Sequence, residues 1–272
     1  MLKEAYNLLK EQYAACFEIV HEDEFYRKFA EEKWRHSMQV AGAGNYLVRH
    51  IDWLKTKPET YQELVRTAIL LHDVCRFTEI VHLFYGKKGY DHGVAGSELL
   101  KNMPRFMDIR IWLPIKHHGH MIEDLYADEE YLSISDKTLQ KEVEKICFIV
   151  RDADKIANLH MLVNEKNIRF LFLKQSDETP GADEEITDTL KAEALQGIIV
   201  SRKHRLNCAS STVTYLSWYT DINYRAAIDF CARLNVTEMM LTMFKEYCKD
   251  EVFTKQYTEV IRRVLRERNY LD

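Results

Sequence analysis

Apolar and polar positions recur along this chain with the period of an α-helix. The segment 61–75, YQELVRTAILLHDVC, carries one apolar stripe whose members are three or four residues apart: Leu64, Ala68, Leu71 and Cys75. Such a stripe predicts a helix with one buried face, and Pro58 stands where that helix would begin. Residues 139–164 keep the same period for longer, which predicts one long helix.

Two polar stretches interrupt the helical pattern. GKKGYD at 86–91 is a break, after which HGVAGSELLKNM predicts a new helix. The stretch 175–188, QSDETPGADEEITD, is acidic and contains Pro180 and Gly181, so it predicts a solvated loop rather than a lid over a phosphate. From about residue 189 to residue 272 the pattern is again that of amphipathic helices.

Composition favours an all-α fold. The chain of 272 residues has only nine Gly and four Pro, whereas hydrophobic residues make up 46% and charged residues 30% of it. Few helix breakers and long mixed apolar and charged stretches are typical of helical proteins. The length is sufficient for a large core, and we expect residues 1–272 to form a single all-helical domain.

Net charge and cysteine content indicate which classes of partner and which cellular compartment to expect. A formal net charge of −5 creates no general basic field, so we expect neither duplex nucleic acid nor a membrane as partner. The six cysteines are widely spread and form no CxxC pair, as expected of buried thiols in a reducing compartment. The sequence shows no recognisable signal peptide or membrane span. These features favour a cytoplasmic protein, and they leave its oligomeric state open.

Polar residues inside the apolar runs carry the candidate chemistry. His72 and Asp73 interrupt the run LLHDVCRF, where burial without a partner would cost roughly 2–7 kcal/mol for a neutral polar group and more for a carboxylate. Coordination of a metal ion would offset that cost. Other imidazoles and carboxylates could join them: His36, His92, His117, His118, Asp152 and Asp154. Imidazole and carboxylate together suit Mn, Fe, Ni, Co or Zn.

These residues occur in the order found in a known family. The succession of His36, His72-Asp73 and Asp154 resembles the H…HD…D signature of the HD-domain superfamily of metal-dependent phosphohydrolases. LLHDVCRF also resembles the family's LLHDIGRF motif, YDHGVAGSELL its DHxxxGxxLL segment, and VRDADKIAN its RDADKLD segment. The resemblance covers at least residues 30–160. It implies an HD-domain helical bundle there, followed by a C-terminal helical extension over about 189–272.

The resemblance also implies a ligand set for a first metal ion. Four side chains of this chain match the family's ligands: His36, His72, Asp73 and Asp154. Asp154 is preferred to Asp152 because the family's ligand follows Ala and precedes Lys, as in ADKI. One departure is Cys75, which stands where LLHDIGRF has Gly. It puts local packing in question more than chemistry.

Further histidines match the positions of a second ion in the family's two-metal members. These are His92, His117 and His118, and in such members Asp73 would bridge both ions. The alternative is a single ion, with His92 and one of the paired histidines contacting substrate or acting as a general acid. Either way the resemblance assigns catalytic roles to Asp73 and His92 and implies one or two divalent transition-metal ions (Mn, Fe, Ni, Co or Zn).

Cations near the ligands are the candidates for binding the substrate's phosphate. They are Arg76, Lys116 and Lys155, since phosphoryl transfer depends mostly on positioning and charge neutralisation. The expected function is hydrolysis of a phosphoester in a small phosphorylated compound, with nucleotides as the first class to test. The absence of GYP after IKHHGH argues against one class of cyclic-dinucleotide phosphodiesterase. Two alternatives stay open, a diiron oxygenase and a non-catalytic regulatory module that keeps a metal.

Overall fold

The computed structural model describes residues 1–165 and 185–272, which are mostly helical and contain no β-strand. The prediction of an all-α fold is confirmed. The first helices are α1 (Leu2–Val20), α2 (Glu24–His50), α3 (Asp52–Lys55), α4 (Glu59–Leu70), α5 (Arg76–Phe84), α6 (His92–Lys101), α7 (Ile109–His117), α8 (Ile122–Tyr126), α9 (Glu129–Leu132) and α10 (Lys137–Glu165). The later helices are α11 (Asp188–Leu195), α12 (Cys208–Leu216), α13 (Arg225–Arg233), α14 (Val236–Tyr247) and α15 (Glu251–Glu267), with short 3-10 helices at Arg202–His204 and Ser217–Asp221.

The chain divides into two compact units. The N-terminal unit comprises Met1–Ala157 together with Asp272, and the C-terminal unit comprises Asn158–Leu271, so the boundary falls within α10. The expected single domain over residues 1–272 stays a prediction. Most of the acidic stretch 175–188 lies outside the described residues, and its last residue begins α11.

The N-terminal unit is a bundle in which apolar helix faces meet. Buried side chains recur on the inner faces of its helices, among them Leu9, Val40, Leu47, Val65, Ile111 and Val150. Helices α2 and α4 approach closely at Gly44, where a Cβ atom would lie 2.5 Å from the Ile69 side chain. The predicted long helix over 139–164 is confirmed by α10.

The helix predicted over 61–75 is shorter than its apolar stripe. Helix α4 ends at Leu70, and residues 71–75 form a turn before α5 begins at Arg76. Leu71 and Val74 are nevertheless fully buried, so the apolar period continues through the turn although the helix does not. This turn carries the His-Asp pair. Cys75 ends it as a buried residue.

Helix α6 lies against the end of α7 because its first turn carries glycine. Asp91 caps α6 by accepting hydrogen bonds from the backbone N–H groups of Gly93 and Val94. A Cβ atom at Gly93 would lie 2.9 Å from the Lys116 carbonyl oxygen. Only a residue without a side chain fits this approach, which brings His92 at the start of α6 near the histidines that follow Lys116.

The C-terminal unit is likewise helical around a buried α12. The hydroxyls of Thr212 and Thr214 donate to carbonyls one turn earlier, and the Tyr257 hydroxyl donates to the Val213 carbonyl at 3.0 Å. All six cysteines of the chain are buried and form no disulfide, as expected. Among the described helices, none is long and apolar enough to cross a bilayer.

Candidate metal centre

Three elements of the N-terminal unit bring the implied ligands of the first ion together. His36 projects from α2, His72 and Asp73 from the turn 71–75, and Asp154 from α10. The Nε2 atom of His36 lies 2.9 Å from Oδ1 of Asp154, and Nε2 of His72 lies 3.8 Å from the same oxygen. The ligand atoms of His36, His72 and Asp73 all lie within 4.8 Å of one another. These three residues could hold a metal ion, and together with Asp154 we call them the first group.

His72 presents an unshared lone pair to this group. Its Nδ1 lies 2.9 Å from the Ile69 carbonyl, to which it donates, so the neutral ring carries no proton on Nε2. That Nε2 is buried and forms no hydrogen bond. Burial lowers the pKa of His72 to about 4 although the charges of Asp73 and Asp154 oppose the shift. A neutral imidazole with one nitrogen anchored on a carbonyl is the usual state of a metal ligand.

A second group consists of Asp73, His92 and His118. The His92 Nε2 atom lies 3.1 Å from Asp73 Oδ1 and 3.2 Å from His118 Nε2, and His118 Nε2 lies 3.4 Å from Asp73 Oδ1. With metal–ligand bonds of about 2.0–2.2 Å, neighbouring ligands of one ion stand about 3–3.4 Å apart. The triangle of these three atoms therefore has the dimensions of one face of a coordination shell.

Local contacts direct both histidines of the second group toward Asp73. The Nδ1 atom of His118 donates to the Ile115 carbonyl at 2.7 Å, which leaves Nε2 with its lone pair. The Nδ1 atom of His92 lies 3.3 Å from the Glu79 carboxylate. Both rings are thus anchored through Nδ1, and Nε2 faces the group, as it does for His72 in the first group.

Asp73 belongs to both groups through different oxygens. Its Oδ2 lies 3.7 Å from His72 Nε2, whereas its Oδ1 faces His92 and His118 and forms no hydrogen bond of good geometry although it is buried. Burial would raise the pKa of this carboxyl, but the Arg76 guanidinium and the neighbouring imidazoles hold it well below its usual range. Asp73 is therefore an ionised carboxylate able to bridge two cations.

Arg151 positions the segment that carries His118. It is buried on α10, and its Nη1 donates to the carbonyl of His117 at 3.2 Å and to that of His120. Asp154 lies three residues further along the same helix. The guanidinium thus fixes the end of α7 to the helix that supplies a ligand of the first group, a role the sequence did not suggest.

Two residues predicted for the site lie outside both groups. His117 Nε2 lies 2.7 Å from the Asp128 carboxylate, and Lys116 lies 2.7 Å from Asp128 and 2.9 Å from Glu130. Although burial would raise the pKa of Asp128, Lys116 and His117 lower it to about 2. The structure thus brings His118, and not its neighbour, into the second group. The predicted substrate role of Lys116 stays a prediction.

The other predicted cations differ in their surroundings. Arg76 borders both groups, because its Nε donates to Asp73 Oδ2 at 3.3 Å and its Nη2 lies 2.7 Å from His92 Nε2, and its guanidinium also pairs with Glu79. Lys155 follows Asp154 on α10 and is buried, and so is Asp152. It is Asp154 that pairs with His36, and its role as a metal ligand stays a prediction.

Lys33 is a residue near the site that sequence reasoning missed. It stands one turn before His36 on α2 and is partly exposed, and no ion pair or hydrogen bond joins its ammonium to another described residue. It is nevertheless close enough to the site for Arg76, Asp73 and Asp154 to influence its pKa, which burial lowers. Its spacing of three from His36 was the one available signal, since residues three apart share a helix face.

The donor set fits a divalent transition metal. Buried nitrogen and oxygen atoms without hydrogen bonds, here His72 Nε2 and Asp73 Oδ1, are costly unless a cation coordinates them. Imidazole together with carboxylate favours Mn, Fe, Co, Ni or Zn over Mg or Ca. The described residues thus contain two buried groups that could hold a metal.

Comparison with known proteins identifies the domain that carries this centre. Residues 34–159 match the family model of the HD domain, a range that includes every side chain of the two groups. Curated proteins and solved structures give no significant match. Residues 34–159 therefore carry an HD domain, a match that is consistent with the HD-domain superfamily of metal-dependent phosphohydrolases.

Proposed function

We propose that this protein is a metal-dependent phosphohydrolase that cleaves a phosphoester of a small phosphorylated compound, with nucleotides as the expected class. The observation that carries the proposal is the pair of ligand groups that share Asp73. A carboxylate between two such groups is a means of holding two cations side by side, and paired ions suit displacement at phosphorus.

The two ligand groups would each hold one metal ion. The first ion would be held by His36, His72, Asp73 and Asp154. A second would be held by Asp73, His92 and His118. When bound, such an ion lowers the pKa of a coordinated water to about 7 and polarises a phosphoryl oxygen.

Lys33 is suited to bind the substrate's phosphate. Its ammonium has no ion-pair partner among the described residues, and the residue as a whole is only partly buried. Arg76, by contrast, is engaged with Asp73 and Glu79. A cation near a transferring phosphoryl group neutralises charge that develops in the transition state.

His92 lies between Glu79 and Asp73 of the second group. Its Nδ1 lies 3.3 Å from Glu79, and its Nε2 lies 3.1 Å from Asp73. If only the first ion is bound, Nε2 would not be a metal ligand, and it could take up or deliver a proton at the leaving oxygen once Arg76, whose Nη2 lies 2.7 Å from it, moves away. With both ions bound, the same nitrogen would be a ligand, and the Glu79 contact would fix the ring's tautomer.

The direct test is hydrolysis by the full chain, stripped of metal and reconstituted separately with Mn, Co, Ni, Zn and Fe. The substrates are p-nitrophenyl phosphate, bis(p-nitrophenyl) phosphate, nucleoside monophosphates, deoxynucleoside triphosphates and cyclic nucleotides. We expect metal-dependent release of phosphate or nitrophenol that Asp73→Asn abolishes. His50→Ala is the matched control, since His50 is exposed and its Nδ1 contacts the Tyr46 carbonyl as His72 contacts Ile69. No hydrolysis with any metal would refute the proposal.

One observation favours a second candidate, an iron oxygenase. His92, His118 and Asp73 form a set of two histidines and one carboxylate, which is the ligand pattern of many non-haem iron oxygenases. An activity that requires iron and consumes O₂ would distinguish this candidate, whereas hydrolysis under argon with Mn or Co would exclude it.

A further inference from the structure

The Arg76 side chain contacts the same atoms that would coordinate a second metal ion. Its Nη2 lies 2.7 Å from His92 Nε2, the nitrogen whose lone pair completes the second ligand group. The same Nη2 lies 3.3 Å from Asp73 Oδ1, the oxygen of that group. The guanidinium therefore contacts two of the three atoms that would hold the ion.

These contacts and a bound second ion exclude each other. A nitrogen lone pair that accepts a hydrogen bond from Arg76 cannot at the same time coordinate a metal. Since a metal–imidazole bond is about 2.1 Å long, an ion on His92 Nε2 would stand no more than about 5 Å from Nη2 at its present distance of 2.7 Å. Two positive charges that close in a mostly buried site repel each other strongly.

The first group is not obstructed by Arg76 in the same way. Its closest contact between ligand atoms joins His36 Nε2 to Asp154 Oδ1 at 2.9 Å, a contact that a metal replaces when the imidazole loses its proton. Arg76 touches this group only at Asp73 Oδ2, through Nε at 3.3 Å. Arg76 thus contacts two of the atoms that would hold the second ion, but only one oxygen of the first group.

We propose that the Arg76 guanidinium takes the place of the second metal ion beside Asp73 and His92. The second ion then binds only when the guanidinium moves away, so the two ions bind one after the other. In the one-ion form Arg76 neutralises Asp73 and satisfies the His92 lone pair. Its partner Glu79 offers a contact that it can keep when it leaves Asp73. This inference rests on the metal sites of the proposed function, and it concerns their order of filling rather than the reaction.

The test is calorimetric titration of the metal-free full-length protein with Mn²⁺, accompanied by elemental analysis after excess metal is removed. For the wild type we expect one tight and one weak binding event. Arg76→Gln is expected to tighten the second event by about 10- to 100-fold, the size of effect that groups around a metal site commonly exert. The first event is expected to change little. Arg76→Lys keeps the charge and is expected to resemble the wild type.

Two further variants separate the role of Arg76 from other effects. Arg66→Ala removes another arginine of the same unit whose side chain is 14% exposed, as that of Arg76 is, and it should leave both events unchanged. Because Arg76→Gln also removes the guanidinium that pairs with the Glu79 carboxylate, the double variant Arg76→Gln/Glu79→Gln tests whether Glu79 has become a ligand. The tighter second event should persist in it.

The outcomes are distinct from those of the hydrolysis assay. A second event of equal affinity in the wild type and in folded Arg76→Gln would overturn the inference, as would two equal events in the wild type. Loss of the gain in the double variant would assign it to Glu79 and overturn the inference too. Stepwise binding without hydrolysis of any substrate would refute the proposed function and leave the role of Arg76 standing.

Discussion

Replacement of His72 by leucine should separate the stability of the fold from the stability that metal adds. In the metal-free protein, His72 donates one hydrogen bond to the Ile69 carbonyl and buries a second nitrogen without a partner. Leucine has a similar volume and no polar atom. It removes an unsatisfied group that costs about 1–3 kcal/mol and loses one hydrogen bond worth about 1 kcal/mol. Without metal, we therefore expect His72→Leu to be as stable as the wild type or up to about 2 kcal/mol more stable.

Metal should reverse that order. An ion present at about 1,000 times its Kd stabilises the folded state by about 4.1 kcal/mol, which corresponds to a rise in Tm of roughly 8–16 °C at 2–4 °C per kcal/mol for a protein of this size. The wild type should show this rise in Mn²⁺, and His72→Leu should show almost none. The assay is thermal unfolding followed by circular dichroism, in EDTA and in Mn²⁺.

A matched variant and two outcomes make the test decisive. His50→Leu changes an exposed histidine with the same type of Nδ1 contact, and it should keep the full rise in Tm. A full metal-dependent rise in His72→Leu would refute the assignment of His72 as a ligand. A loss of more than about 3 kcal/mol in EDTA would show that the polar atoms of His72 stabilise the metal-free fold, contrary to the reasoning from its buried nitrogen.

Three further predictions concern residues around the two groups. Lys33→Ala should lower kcat/KM by about 10- to 100-fold, as expected on losing one hydrogen bond to a charged group, while Mn²⁺ binding stays unchanged; Lys28→Ala, which removes an exposed lysine paired with Glu24, should change neither. Asp128→Asn keeps the cap of α9 and should lower the free energy of unfolding by about 2 kcal/mol at pH 7, measured with urea, because the folded-state pKa of about 2 lies below the ordinary 3.8. That difference should be complete above pH 4 and disappear as the pH falls through 2. Gly93→Ala should weaken the second Mn²⁺ event and spare the first, since its Cβ would press on the Lys116 carbonyl.

Each of these three can fail in a specific way. Unchanged kinetics in Lys33→Ala would exclude Lys33 from phosphate binding. An equal stability loss in Asp128→Asn at pH 2 and pH 7 would show that the loss does not arise from the carboxylate's charge. Equal weakening of both Mn²⁺ events in Gly93→Ala would indicate a general disturbance rather than a displaced α6.

The implied ligands of the first ion were accessible from sequence because they lie in an ordered motif. His36, His72, Asp73 and Asp154 are far apart along the chain, yet the structure gathers them from α2, the turn 71–75 and α10. Sequence pattern misplaced the end of the helix before this turn. Leu71 and Val74 continue the apolar period because they are buried, although the backbone there is no longer helical.

The membership of the second group could not be predicted fully from the sequence. His117 and His118 are adjacent and both buried, so pattern alone could not choose between them. The choice follows from the end of α7, where His118 bonds to the Ile115 carbonyl and His117 turns toward Asp128. The position of Lys33 was hidden for the same reason, since its proximity to the site depends on how α2 packs.

Elemental analysis of the purified full-length protein, reconstituted with Mn²⁺ and freed of excess metal, tests the central claim most directly. The wild type is expected to retain one ion per chain, or two at high metal concentration, and Asp73→Ala is expected to retain less than about a tenth of that, because Asp73 contributes to both groups. Equal retention by the two proteins, or none by the wild type with Mn, Fe, Co, Ni or Zn, would contradict the assignment of this cluster as a metal centre.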